Sequence, residues 1–164
     1  MLVEMRVAGL TIDPLTNMPI LLLKDLDEQR TVPIWIGLVE ASAIATELQQ
    51  VKLERPMTHD LVRNLFERLG VETVHVEITD LRDNTYYATL VLKQRGEVIN
   101  MDARPSDAIA IAMRTGCAIY VDERVLEKAS VLDLRTTEGP LEAREPGSDV
   151  LSGIPEAYFG KWKM

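Results

Sequence analysis

Two short groups of residues in this chain could do chemistry together. The first is Asp102, Arg104, Ser106 and Asp107, gathered around Pro105; the second is Arg55, His59 and Asp60, beside Pro56. Phosphodiester hydrolysis needs a group that activates water, positive charge on the phosphate, and usually a divalent metal held by carboxylates. Asp102, Asp107 and Glu40 are candidate ligands for Mg²⁺ or Mn²⁺, which such sites bind with several waters retained. Arg55 and Arg104 are candidate phosphate contacts through bidentate guanidinium pairing, with Ser106 beside them. His59 is a candidate general base or acid, and Asp60, Asp102 and Asp107 complete the candidate catalytic set.

Each of these residues also has a structural reading, and spacing alone does not separate the two. Asp60 and Asp107 suit the positive ends of helix dipoles. Arg104 can pair with Asp107 or Asp102, and His59 can be a hydrogen-bonded residue at a helix start. His75 reads as a surface residue on the polar face of a strand, and Cys117 as a small buried hydrophobe. The chain contains no glycine-rich phosphate loop, cysteine-pair metal motif, HExxH helix or nucleophile elbow.

The element that must position the first group starts at Pro105. The proline pushes Arg104 out of the helical region, so the helix cannot begin earlier. Ser106 is the expected N-cap, with Asp107 in the first turn. Residues 108–113 are all apolar and three of them are alanines, which predicts a buried helix that other backbones approach closely. Arg55-Pro56-Met57-Thr58-His59-Asp60 repeats the layout of Arg-Pro, hydroxyl and acid before an apolar helix that ends at Gly70. The echo reflects either shared capping chemistry or two helix starts converging on one anion-binding site.

The remaining elements follow in order. Residues 2–8 alternate as a half-buried strand; residues 20–23 form an apolar strand covered on both faces; residues 32–37 form a third, with Pro33 near its start. Residues 38–51 read as a helix with Ala41, Ile44, Ala45 and Leu48 on its apolar stripe and Glu40 in its first turn. The next helix is expected to turn Leu61, Leu65, Phe66 and Leu69 inward. Residues 72–79, 85–93 and 97–102 form a three-stranded antiparallel meander, with Val74, Val76 and Ile78 buried. After the buried helix come a strand over residues 118–121 and a short helix capped by Asp122 through Lys128.

These elements predict an α+β fold, a mostly antiparallel sheet with helices packed against it, in a single domain over residues 1–130. Glycine and proline interrupt residues 131–164, which read as a C-terminal extension with an aromatic end at Tyr158, Phe159 and Trp162. That end either packs on its own domain or docks a partner. The chain has 164 residues and a net charge of −8, which opposes a broad phosphate-tracking surface and disfavours non-specific nucleic-acid binding. Residues 131–164 carry six acids and four bases, so the rest of the chain keeps −6 of that charge. A single cysteine allows no internal disulfide and points to a reducing, cytoplasmic setting. Neither a signal peptide nor a membrane-spanning run is expected.

Three stretches taken together, Pro33-Ile34-Trp35-Ile36-Gly37 with Glu40-Ala41, Arg55-Pro56-Met57-Thr58-His59-Asp60-Leu61, and Asp102-Ala103-Arg104-Pro105-Ser106-Asp107-Ala108-Ile109-Ala110, resemble the bifunctional nuclease domain family. The resemblance covers roughly residues 1–130, with Ile111 where the family pattern has leucine. It implies an α+β fold, self-association (a homodimer favoured) and nuclease activity on RNA and DNA, an activity attributed to plant members. The resemblance supplies no catalytic set. The alternative reading from charge is a non-catalytic module that binds a small anionic ligand or a protein partner, with the Arg-Pro and Asp cluster structural.

Overall fold

Alternating and continuous apolar runs dictate the strands, and seven of them join one sheet. The computed structural model describes residues 1–136, with elements β1 (Leu2–Ile12), β2 (Pro19–Asp25), β3 (Thr31–Trp35), α1 (Leu38–Leu48), α2 (Thr58–Leu69), β4 (Val71–Arg82), β5 (Thr85–Gln94), β6 (Glu97–Ala103), α3 (Pro105–Thr115), β7 (Ala118–Asp122) and α4 (Glu123–Thr136). The aromatic segment at 158–162 lies outside the described residues. Sheet order is β3-β2-β1-β7-β4-β5-β6. The β4–β7 pair is parallel and every other neighbouring pair is antiparallel, so the fold is α+β as the pattern predicts. The Tyr86 hydroxyl donates to the Pro33 carbonyl at 2.9 Å, which ties β5 to β3 although they stand near opposite ends of the strand order. The sheet therefore curls strongly around its inner face.

Leu21, Leu23, Val76, Ile78, Leu90, Leu92 and Val121 cover that inner face and form one core with Ala41 and Ile44 of α1 and residues 108–112 of α3. Each large aliphatic side chain so buried contributes roughly 1.5–3 kcal/mol. α3 lies against β4, β5 and β7, and α1 and α2 flank it. The alanines at 108, 110 and 112 leave room for both neighbours. α4 starts where Asp122 Oδ1 accepts the Arg124 amide at 2.9 Å and runs past Lys128 to Thr136.

Several local expectations are corrected. In α2 the inward side chains are Val62 and Phe66, while Leu61, Leu65 and Leu69 face solvent. The helix meets α3 and β4 on only one narrow stripe, so the second apolar row of its surface stays uncovered. Val74 is exposed because β4 slips register between Thr73 and His75, which turns the bulged residue off the core face. α3 begins two residues earlier than its hydroxyl suggests. Arg104 is the N-cap, Pro105 takes the first helical position, and Ser106 is buried in the first turn. Residues 49–51 fall outside α1, which ends at Leu48. On β2, Leu21 and Leu23 are sealed but Ile20 and Leu22 are only half-buried.

One buried cation fixes the three helices to one another. The Arg114 side chain is 1% exposed and its Nε donates to Asp60 Oδ1 at 2.7 Å. Nη1 donates to the Ala110 carbonyl and Nη2 to the Ala43 carbonyl, each at 3.0 Å, and Glu47 stands 3.8 Å away. A guanidinium from α3 thus contacts the backbone of α1 and the first-turn acid of α2. Removing one member of a buried pair leaves an uncompensated charge at a cost of roughly 3–5 kcal/mol. Arg114→Ala should therefore lose about that much stability in urea titration, and Arg114→Lys should recover little of it because an ammonium lacks the planar fork. A loss within about 0.5 kcal/mol, the usual scatter for a neutral surface change, would contradict this assignment.

Candidate functional site

Because α3 sits between α1 and α2 and Arg114 holds all three, their N-terminal turns open into one cleft of about 450 Å³. Glu40 is in the first turn of α1, Thr58 and His59 open α2, and Arg104 and Asp107 open α3. One turn deeper on the same helices lie Ala43, Val62 and Ile111. A spacing of three residues (Glu40 to Ala43) or four (Thr58 to Val62, Asp107 to Ile111) puts each apolar side chain beneath a polar one. The result is a polar ring above an apolar floor.

The polar ring is one connected chain of contacts. Arg104 Nη1 donates to Glu40 Oε1 at 2.7 Å, and Arg104 Nε donates to Asp107 Oδ2 at 2.7 Å. The other Asp107 oxygen, Oδ1, lies 2.9 Å from His59 Nε2. Burial disfavours the Asp107 carboxylate, but the hydrogen bonds from Arg104 and His59 outweigh it and hold this carboxyl below its usual range. The same contacts raise the already high Arg104 pKa, Asp107 first and Glu40 second. An ionised carboxylate only accepts hydrogen bonds, so His59 Nε2 carries the proton and donates it to Asp107. In the neutral imidazole Nδ1 then holds the lone pair, and Nδ1 has no protein partner among the described residues. The ring is open to water: the Arg104 side chain is 64% exposed, whereas His59 is 15% exposed.

The other candidates stand elsewhere. Asp102 pairs with Thr89 across β6 and β5, next to Ala103, which pairs with Ala88 on the inner face; strand alternation puts Asp102 on the opposite face of the sheet from α3. Arg55 is exposed in the loop before α2 and does not line the cleft; neither does Ser106. Asp60 is committed to structure: Oδ2 accepts the Met57 amide at 2.9 Å, and Oδ1 takes Arg114. Burial opposes its ionisation, yet these two partners keep its pKa lowered. The expected metal trio of Asp102, Asp107 and Glu40 is therefore not assembled. Among the described residues no three His, Cys, Asp or Glu side chains form a metal-holding group. Glu40 and Asp107 instead face the Arg104 guanidinium, so this donor set does not fit a protein-held divalent ion.

Sequence reasoning missed Arg114 and Glu47. The available signal was the one basic residue of α3, a turn after Ala110 on a largely buried helix, where a cation must find partners. A separate hollow of about 370 Å³ beside Cys117, lined in part by Glu4, Arg6 and Met113, brings no carboxylate and histidine together. The Cys117 thiol is pushed up by burial, which makes it a poor nucleophile.

The two lowered carboxyls set an acid limit on the helix starts. A carboxyl whose folded pKa lies below its unfolded value, about 4, stabilises the fold above that value and loses the contribution as pH falls through the folded one. Wild-type stability measured by denaturant titration should therefore fall as pH drops below about 4. Asp107→Asn should flatten that fall, because its amide no longer takes up a proton. An unchanged slope would show that Asp107 is not part of the linkage.

Comparison with known proteins agrees with this arrangement of motifs. The profile of the bifunctional nuclease domain matches residues 21–133. An uncharacterised protein of Mycobacterium tuberculosis is 46% identical over 129 residues, covering 79% of this chain and 77% of that protein. "Bifunctional nuclease 1" of Oryza sativa subsp. indica is 32% identical over 97 residues, 57% of this chain and 29% of its own length. "Bifunctional nuclease 2" of Arabidopsis thaliana is 28% identical over 125 residues, 73% of this chain and 37% of its own length. The plant proteins are thus much longer than the shared region. No helix among the described residues is long and apolar enough to cross a membrane. With the profile running from β2 through β7 and covering the cleft and the starts of α1, α2 and α3, the chain belongs to the bifunctional nuclease domain family.

Proposed function

We propose that the cleft hydrolyses phosphodiester bonds of RNA or DNA, with His59 as general base, Asp107 as the group that orients it, and Arg104 as the cation on the phosphate. The observation that carries this reading is the 2.9 Å contact between Asp107 and His59, made by a carboxylate that also takes the exposed Arg104 guanidinium in an open cleft. A water attacks phosphorus and its proton passes to His59 Nδ1. The P–O bond to the leaving oxygen breaks, and that oxygen takes a proton from solvent at the cleft mouth. Arg104 balances charge on the non-bridging oxygens, and three helix N-termini add their partial positive charge. The plant relatives carry the name bifunctional nuclease, which supports the reaction class. The net charge of −8 favours a short contact over a long bound strand. The residues present supply no step through Mg²⁺ or Mn²⁺.

The test is cleavage of single-stranded RNA and DNA by purified protein, with Mg²⁺, with Mn²⁺ and with chelator. Loss of a general base typically costs 10²–10⁴-fold in rate. His59→Ala should show a loss of that order with normal folding by circular dichroism. Asp107→Asn should also slow the reaction, since an amide can present the wrong group to the imidazole. Cleavage that survives both changes would assign the activity to a contaminant and favour a cluster that only holds the helices together.

We also propose that a second copy covers the apolar face left open beside β6. Leu61, Leu65 and Leu69 expose one row of α2, and β6 is an edge strand whose Ile99 and Met101 are exposed on the inner face of the sheet. β6 carries no proline, lysine or bulge, the usual guards of an edge. An antiparallel pairing of two copies centred on Asn100 uses the whole strand and sets Ile99 opposite the other copy's Met101, as a two-fold interface requires. Light scattering should give a dimer for wild type and a monomer for Asn100→Pro and Leu65→Glu. A wild type monomeric at its highest soluble concentration would remove this interface.

A further inference from the structure

We propose that Glu40 is a built-in competitor for Arg104, so that a phosphate enters the cleft only by exchanging with the Glu40 carboxylate, and that Gly37 is the residue that makes room for it. The proposal rests on the phosphate-binding part of the function given above and names the residue that sets anion affinity there. Arg104 has two carboxylate partners with different duties. Asp107 also holds His59, so it cannot leave without dismantling the pair. Glu40 makes no second contact of this kind among the described residues, and its bond to Arg104 spans helices α1 and α3 at the open side of the ring. The two carboxylates of Glu40 and Asp107 outnumber the one guanidinium of Arg104, and these three groups sum to −1. A phosphate that kept all of these contacts would meet net negative charge. One that displaced Glu40 would meet a guanidinium edge presented at 2.7 Å hydrogen-bonding distance to a carboxylate oxygen, a group of the same charge and similar reach.

Gly37 makes this arrangement possible. It is the N-cap of α1, with φ −74° and ψ 163°, values open to any residue. Backbone conformation therefore does not call for glycine here. Space does: a Cβ at Gly37 would run into the Glu40 carboxylate, which folds back over the helix start on its way to Arg104. An alanine would push that flexible carboxylate out of its present position while leaving every charge in the chain unchanged.

Binding of inorganic phosphate, followed by calorimetry at low ionic strength and without turnover, tests this directly. Glu40→Gln should tighten phosphate binding about tenfold, the effect of roughly 1.4 kcal/mol of charge repulsion removed. Gly37→Ala should shift affinity in the same direction with the chain's charge unaltered, and it carries the test if Glu40→Gln does not fold. Arg104→Ala should abolish binding in either background, while the surface change Glu28→Gln should leave it as in wild type. Unchanged or weaker binding in both Glu40→Gln and Gly37→Ala overturns the proposal, as does phosphate that binds none of the proteins. Tighter binding without any strand cleavage would sustain the competitor role and remove the hydrolytic one.

Discussion

The Arg114 guanidinium is the contact on which the arrangement of helices depends. It is almost wholly buried, and it spends its donors on α1 backbone, α3 backbone and the Asp60 carboxylate of α2. A charge taken out of water in this way is stable only when every donor is met. That requirement sets how α1, α2 and α3 lie relative to one another, and so where their first turns meet. The cleft is a consequence of the lock that sits behind it.

Each of the three helices brings an acid to its own first turn: Glu40, Asp60 and Asp107. Local helix chemistry accounts for all three, because a carboxylate is favourable at a positive dipole end. The tertiary structure then gives them different work. Asp60 turns inward to Arg114, Asp107 bridges Arg104 and His59, and Glu40 reaches across to Arg104 at the solvent side. The question of lock or site therefore has a divided answer. The Arg114 cluster is a lock, and the Arg104 cluster is mated internally yet open to water.

A mated but open cluster differs from a sealed one in what a ligand must do. A sealed pair offers no approach, whereas an exposed guanidinium can exchange one carboxylate for another anion at modest cost, since exposed ion pairs contribute little. Ala43, Val62 and Ile111 line the same cleft one turn deeper on the three helices.

The amino-acid sequence by itself determined the elements and the family. Alternation placed the meander of β4, β5 and β6, Pro105 set the start of α3, and the apolar run after it announced a buried helix; these depend on neighbours in the chain, so pattern suffices. The paired Arg-Pro motifs left open whether the two helix starts share only capping chemistry or one site, and His59 meets Asp107 in the folded chain. Only the tertiary structure decided which residues take part. Asp102 and Asp107 are close in sequence but lie on opposite sides of the sheet, because strand alternation and the turn at Pro105 separate them. Arg55 mirrors Arg104 in motif but not in position. Arg114 is unremarked in sequence and central in space, because its partners come from three elements far apart in the chain. The outward leucines of α2 have the same cause: period marks an apolar row, but which neighbour covers it depends on how the helices pack.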